Sequence, residues 1–399
     1  GETDDFSDLA FFKKAVGDAQ IIALGEATHG TSEFFTLKHR LLQFAVRELG
    51  VRVFAIEANQ LEVEKINRYV CGGEGTAEQI IRVMFSVWNT QEMLALIEWM
   101  RAWNLENPSR MVEFVGFDLQ DPSLPMDSLS QFFGDWEPAL RPLADSLQRG
   151  YRAAWRAQYY PQAPDSVRLA WKVNADRVLA LVNARLAEWR GKANSPAAKK
   201  RVEWALQNTR VVSQAADIAF SQKVSGRDTF MAENIRWIQS MRSPGTRILV
   251  WAHDSHIARS DHPDQRFNYH SGDSMGKYLS RIFGNKYKAF GLFTAGGQYS
   301  ATISFSNHKM VAVDAMDAPR GSFDEALHRL AGEFGAGQLF LDLRPALALE
   351  NNEWLVLPRP VRFVGYAVND YDFGAVMSVP HQFDGVFFLD KTGASKKLR

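Results

Sequence analysis

A short apolar run, a helix-length segment and a second apolar run follow one another near the start of the chain. Ile21–Leu24 ends at Gly25, apolar residues then recur at helical spacing over residues 32–49, and the second run covers Val51–Ile56. Short apolar runs on either side of a helical pattern are typical of a β-α-β unit with parallel strands. The pattern therefore predicts an α/β fold with a partly parallel central sheet flanked by helices.

The same alternation continues further along the chain. Helical patterns cover residues 91–103 and 228–241, and the strand-like runs 112–117 and 247–252 follow them. Four later apolar runs are expected to complete or flank the sheet: residues 289–293, 299–305, 339–343 and 385–389.

A long stretch without strand signals interrupts this pattern. Between Met126 and Gln222 the chain is rich in Ala, Leu, Arg and Trp, which favours helices. We therefore predict that residues 126–222 form a helical lobe inserted into an α/β catalytic domain made of residues 1–125 and 223–399. Ser395–Arg399 is predicted to be a frayed basic tail.

Charge and composition narrow the classes of partner. The chain has 46 Lys plus Arg and 46 Asp plus Glu, so no basic field attracts nucleic acid. No apolar run reaches the roughly 18 to 20 residues of a membrane-spanning helix. We expect a small-molecule substrate, and neither nucleic acid nor membrane as partner.

A single cysteine, Cys71, excludes an intramolecular disulfide. Nothing in the composition therefore calls for an oxidising compartment. A cytoplasmic location is expected, and a periplasmic or secreted location after signal removal stays open.

Titratable side chains follow the predicted strands where each strand ends. In open α/β sheets, ligands bind in the crevice beyond the carboxyl ends of the strands. Any one such residue could simply cap a helix or satisfy a turn, but their recurrence favours a functional site. The residues are Glu26, His29, Glu57, Asp118, His253 and His256.

The turn Gly25–Gly30 places a carboxylate and an imidazole three residues apart, between glycines that allow close backbone approach. A carboxylate beside an imidazole fixes its tautomer, which suits a general base that takes a proton from water. His253 and His256 could donate to an oxyanion, protonate a leaving group or bind a metal. Their spacing leaves these three roles open.

These motifs resemble the erythromycin esterase-like family. The similarity runs in order from about residue 19 to the Phe383–Val386 segment. It is carried by Gly25–Gly30, Lys38–Arg40, Ile56-Glu57, Trp88, Gly116–Asp118 and Trp251–His253 with His256.

The resemblance implies a hydrolase that opens the macrolactone ester of 14-membered macrolides, the chemistry of macrolide resistance, without a metal or other cofactor. It implies that His29 is the base activating water, and that Glu26, Glu57, His253 and His256 complete the catalytic group. The predicted substrate-binding residues are Lys38, Trp88 and Asp118. Lys38 stands where the best-known members have arginine. The positive charge is kept, but the planar guanidinium group that binds a carboxylate in two places is absent.

Four alternatives remain. Gly272–Gly276 matches the G-x-S-x-G elbow of serine hydrolases, but residues 268–271 are too polar for a buried strand, so we predict that Ser274 is a helix N-cap. The His and carboxylate residues could hold a catalytic zinc, although the chain lacks H-E-x-x-H. The substrate could also be another ester.

The fourth alternative is a non-catalytic protein that sequesters a hydrophobic ligand. Tyr151, Trp155 and Tyr159 recur at the spacing of one helix face. Such stripes more often pack within a core or between helices than bind a ligand.

Overall fold

A computed structural model describes residues 5–158, 160–221, 225–259, 266–267, 273–304, 307–368 and 371–398. The strands are β1 Ile21–Leu24, β2 Val51–Asn59, β3 Glu113–Asp118, β4 Arg247–Trp251, β5 Arg266–Phe267, β6 Tyr287–Ser304, β7 Asn307–Ala315, β8 Gln338–Asp342, β9 Arg359–Val361, β10 Ala375–Met377 and β11 Gly385–Thr392.

The α-helices alternate with the strands in the first part of the chain and form a long run in its middle. They are α1 Ala10–Val16, α2 Ser32–Glu48, α3 Glu64–Val70, α4 Ala77–Ile80, α5 Gln91–Glu106, α6 Ser123–Trp136, α7 Arg141–Arg156, α8 Asp165–Lys192, α9 Pro196–Ser221, α10 Ser225–Ser240, α11 Asp254–Ile257, α12 Met275–Phe283, α13 Phe323–Glu333, α14 Glu353–Val356 and α15 Val379–Gln382.

The central sheet has eight strands in the order β3-β2-β4-β1-β6-β11-β8, with β7 paired to β6. The pairs β2/β4, β4/β1, β1/β6 and β6/β11 are parallel, whereas β7 and β8 run antiparallel to their neighbours. This confirms the predicted α/β fold with a partly parallel sheet. Strands β5, β10 and β9 form a small separate sheet that the sequence did not indicate.

The register of the parallel strands brings their carboxyl ends to one level. Leu24 of β1 and Ile56 of β2 are both register partners of Trp251 in β4. All three are fully buried. Side chains that follow them in sequence therefore project from the same edge of the sheet.

Strand β6 differs from the sequence prediction. It is one continuous strand, Tyr287–Ser304, where the apolar runs predicted two. Gly297 has a φ of +114° and leaves no room for a side chain, because a Cβ there would lie 2.1 Å from the Thr392 carbonyl oxygen. Gly297 thus lets β6 pass close to β11 without ending the strand.

The chain divides into two compact units. The first comprises residues 1–58, 63–117 and 232–399, and the second comprises residues 59–62 and 118–231. The second unit is helical, and its core contains Phe132, Tyr151, Trp171 and Trp189. Tyr151 stacks on Trp171, with 5.3 Å between ring centroids. Tyr151 therefore packs in the core of this unit, and Tyr159 lies outside the described residues.

Within the described ranges, no helix has both the length and the apolar composition needed to cross a bilayer.

The carboxyl-terminal tail is bound to the first unit, so the prediction of a frayed tail is wrong. Ser395 N donates to the Gly30 carbonyl at 2.8 Å, and Gly393 N donates to Glu33 Oε2 at 2.7 Å. Lys396 N donates to both carboxylate oxygens of Glu92 at 3.1 Å. These bonds use backbone groups, so the basic side chains of the tail gave no sign of them.

We expect Glu92→Ala to destabilise the protein by about 2 kcal/mol, because the Lys396 N–H and the Ser32 hydroxyl both lose their acceptor. Thermal unfolding followed by circular dichroism measures the effect. Glu98→Ala is the matched control, since Glu98 is exposed on the same helix. Equal melting temperatures for the two variants would contradict docking of the tail through Glu92.

Candidate active site

Five of the six residues predicted from the strand ends meet in the first unit. Glu26 follows β1, Glu57 lies near the end of β2, and His253 follows β4. His29 belongs to the turn after Glu26, and His256 lies in the short helix α11. All of these residues are buried, and the contacts below connect them.

Glu26 is the most enclosed member of the group. Its Oε1 lies 2.7 Å from His29 Nδ1, and its Oε2 lies 2.6 Å from Lys38 Nζ. Trp251 Nε1 also donates to Oε2, at 3.0 Å. An ionised carboxylate only accepts hydrogen bonds, so His29 Nδ1 carries the proton of that bond. His29 Nε2 then bears the lone pair.

His29 Nε2 is the open nitrogen of this group. The side chain is 11% exposed, and no group in the described part of the chain is hydrogen-bonded to Nε2. Trp88 stands edge-on to the imidazole at 5.6 Å between centroids, and His253 lies at 5.1 Å. The carboxylate of Glu26 binds the Nδ1 side of the ring, and the Nε2 lone pair lies beside aromatic rings. An imidazole in this arrangement can act as a general base.

Lys38 is fully buried, and its ammonium group lies 4.0 Å from the centre of the Trp251 ring. Burial lowers the pKa of Lys38 to about 8, and the charge of Glu26 opposes that shift. In this structure Lys38 therefore orients the carboxylate that binds His29. Its predicted contact with substrate stays a prediction.

Glu57 connects β2 to both later histidines. Its Oε2 accepts from the backbone N–H of His253 at 3.0 Å, and its Oε1 lies 3.4 Å from His256 Nε2. The Glu57 carbonyl accepts from Trp88 Nε1 at 3.0 Å. The Trp88 ring is thus held beside His29. Its contact with substrate stays a prediction.

The ring of His253 is held at both nitrogens. Nδ1 accepts from the Ser255 N–H at 3.2 Å, so the remaining proton is on Nε2. Nε2 lies 3.3 Å from the Ala27 carbonyl, which is a long hydrogen bond. This bond directs the Nε2–H of His253 toward the turn that carries Glu26 and His29.

Asp254 is a buried group to which the sequence reasoning assigned no role. Its Oδ1 accepts from Leu292 N at 3.3 Å, and its backbone N–H donates to the Glu26 carbonyl at 2.9 Å. Burial raises the pKa of Asp254 well above its usual value. A Cβ on Gly25 would lie 1.8 Å from Asp254 Oδ1. Gly25 thus makes room for this carboxyl. A glycine directly after a buried strand was the one sign in the sequence that another group packs closely there.

Asp118 lies in the second unit, at the end of β3. Arg227 binds both oxygens, with Nε to Oδ1 at 3.0 Å and Nη2 to Oδ2 at 2.7 Å. Leu119 N and Gln120 Nε2 donate to the same carboxylate at 2.8 and 2.7 Å. Direct binding of substrate by Asp118 stays a prediction and would require it to exchange some of these bonds.

Ser274 caps helix α12, as predicted. Its hydroxyl accepts from Lys277 N at 3.2 Å and donates to the Ala258 carbonyl. Gly272, the first residue of the serine-elbow motif, and the preceding residues 268–271 lie outside the described residues. The described ranges contain no group of three or more His, Cys, Asp or Glu residues placed to hold a metal ion.

Comparison with known proteins gives relatives over most of the chain. An erythromycin esterase type II of Escherichia coli is 23% identical over 320 residues, 75% of this chain and 74% of the relative. A putative hydrolase of Bacillus subtilis strain 168, YbfO, is 22% identical over 407 residues, 96% of this chain and 86% of the relative.

Two solved structures share the fold. A Bacillus cereus protein matches with a TM-score of 0.85 at 22% identity, over 100% of this chain and 94% of its own. A mutant of erythromycin esterase EreC in its open conformation matches with a TM-score of 0.75 at 14% identity, over 98% of this chain and 95% of its own.

The family model for erythromycin esterase matches residues 46–392. This range contains Glu57, Trp88, His253 and His256, and it starts after the Glu26–His29 turn. The match covers most of the chain, so the protein belongs to the erythromycin esterase family of hydrolases.

Proposed function

We propose that this protein hydrolyses a carboxylic ester, the macrolactone of 14-membered macrolides, with His29 as the general base that activates water. The observation that carries the proposal is the Glu26–His29 bond of 2.7 Å, which leaves His29 Nε2 as an open acceptor beside His253. A carboxylate that fixes an imidazole in this tautomer performs the same task in other hydrolases.

The proposed reaction has two steps and no acyl-enzyme. His29 Nε2 takes a proton from water while the water oxygen bonds to the ester carbon, and the carbonyl oxygen becomes an oxyanion. The ester C–O bond then breaks, and the proton passes from His29 to the leaving alkoxide. The products are a carboxylic acid and an alcohol, which remain one molecule when the ester closes a ring.

Two donors stand ready for the oxyanion or the leaving group. His253 Nε2–H lies 3.3 Å from the Ala27 carbonyl, and His256 Nε2 lies 3.4 Å from Glu57 Oε1. Oxyanion donors act by being fixed in place before the charge forms. Glu57 contributes by holding both residues to the end of β2.

The name of the Escherichia coli relative, erythromycin esterase type II, supports a macrolide as substrate. The name of the Bacillus subtilis relative supports hydrolysis without naming a substrate. Erythromycin is therefore the first compound to test, and a simple aryl ester tests the wider esterase class.

Incubation with erythromycin is expected to increase the mass of the macrolide by one water, because hydrolysis opens the lactone and releases no fragment. Mass spectrometry of the reaction mixture detects the product, and prior chelation of metals should leave turnover unchanged. An intact macrolide together with hydrolysis of the aryl ester would remove the macrolide assignment and keep the esterase. Binding of ligand without any product would favour a sequestering protein.

His29→Ala is expected to lower kcat by about 10²- to 10⁴-fold, since the base is removed, while ligand binding stays largely intact. His39→Ala is the matched control, because His39 is also buried but packs against Trp99 with 5.7 Å between centroids. Steady-state kinetics and thermal melts of both variants give the comparison. An equal loss of kcat in the two variants would refute His29 as the base.

The alkaline limb of the pH profile of kcat is expected to reflect the deprotonation of Lys38. The pKa of Lys38 is lowered from 10.5 to about 8, so the side chain is charged below that pH and neutral above it. Above it Glu26 loses a charged partner, and kcat is expected to fall. Lys38→Arg keeps its charge and should extend the plateau to higher pH. Identical alkaline limbs in two folded proteins would contradict this role.

A further inference from the structure

One short segment touches both halves of the candidate site. Val364 N donates to the Ala27 carbonyl at 2.9 Å, within the turn that carries Glu26 and His29. The ring of the preceding residue, Phe363, stands edge-on to the His253 ring at 4.7 Å between centroids. Residues 363–364 therefore contact the turn after β1 and the histidine after β4.

The Ala27 carbonyl is where these contacts converge. It accepts from Val364 N at 2.9 Å and lies 3.3 Å from His253 Nε2. The carbonyl that directs the His253 ring is thus itself held by the 363–364 segment. A shift of this segment would change both the direction of that oxygen and the aromatic wall beside the imidazole.

Arg362, the residue before this segment, is fully buried. Its Nη1 lies 2.5 Å from Asp372 Oδ2, and its Nη2 donates to the carbonyls of Ala295 and Met316 at 2.9 and 2.5 Å. Its Nε donates to the Thr294 carbonyl at 3.3 Å. The guanidinium group thereby joins the segment to the middle of β6 and to the residue after β7.

Asp372 completes the connection. Its Oδ1 accepts from the Tyr299 hydroxyl at 3.0 Å, and its Oδ2 also accepts from Met316 N at 2.9 Å. Phe363 N donates to the Asp372 carbonyl at 2.7 Å. Phe363 is therefore fixed by its own backbone as well as by its neighbour.

A buried ion pair is a poor means of adding stability, because removing two charges from water costs about as much as their attraction returns. Its distinctive property is fixed geometry, since several hydrogen bonds admit only one arrangement. Here the fixed arrangement belongs to the segment that contacts His253.

We infer that Arg362, paired with Asp372, is a positioning residue of the hydrolytic site. It fixes Phe363 and Val364, so that His253 keeps its Nε2–H directed to the Ala27 carbonyl. This role rests on the proposed function.

The test compares two buried phenylalanines. Phe363 and Phe44 are both 3% exposed, but Phe363 faces His253, whereas Phe44 packs against Phe6 and Phe12, with 5.9 and 6.2 Å between ring centroids. Phe363→Leu is expected to lower kcat about tenfold with little change in KM, because a misplaced donor weakens stabilisation of the transition state more than binding of the substrate. Phe44→Leu should leave kcat within about twofold of the unmodified protein.

A second measurement separates positioning from general loss of structure. Long-range ¹H–¹⁵N spectra report the tautomer of His253, which should be Nε2–H in the unmodified protein and in Phe44→Leu, and mixed in Phe363→Leu. Phe363→Tyr keeps the ring and should restore both kcat and the spectrum. Arg362→Lys keeps the charge but loses the planar guanidinium group, so it should behave like Phe363→Leu.

Equal kcat and identical His253 spectra in Phe363→Leu and Phe44→Leu would overturn the inference and leave Arg362 a purely structural residue. Failure of the proposed function gives a different result. The unmodified protein would then turn over no ester, while the His253 spectra would still show whether Phe363 fixes the tautomer.

Discussion

The site depends on one buried carboxylate. Glu26 is fully enclosed and is bound by His29, Lys38 and Trp251. A carboxylate without such partners would be too costly to bury in its charged form. The three donors come from the turn after β1, from helix α2 and from the end of β4. The surroundings of Glu26 therefore depend on how β1, β4 and α2 pack together, and the bond from Glu26 to Nδ1 sets which nitrogen of His29 is left open.

The parallel register explains why the chain could carry this arrangement. Leu24, Ile56 and Trp251 lie at one level, so Glu26, Glu57 and His253 follow from one edge of the sheet. The sequence predicted these residues correctly as a neighbouring group because the position of a polar residue after an apolar strand is visible in the chain itself. The β-α-β unit at residues 21–56 and the cap at Ser274 were visible for the same local reason.

Other features depend on contacts between distant parts of the chain, and no local pattern indicates them. The direction of Lys38 toward Glu26 depends on how helix α2 packs on the sheet, and a helical lysine looks like a surface residue in sequence. Arg362 binds mainly carbonyl oxygens, which every residue possesses. The position of the buried Asp254 carboxyl depends on the absent side chain of Gly25. Each of these is set by packing rather than by residue pattern.

The bound tail has a consequence for how the fold is completed during synthesis. The Gly30 carbonyl, one residue after His29, accepts from Ser395, which lies far along the chain. Domains begin to fold during synthesis from their amino-terminal part, yet this turn receives hydrogen bonds from residues that are translated much later. The turn is therefore completed only after Ser395 has left the ribosome, and a polypeptide that still lacks it carries an unfinished centre.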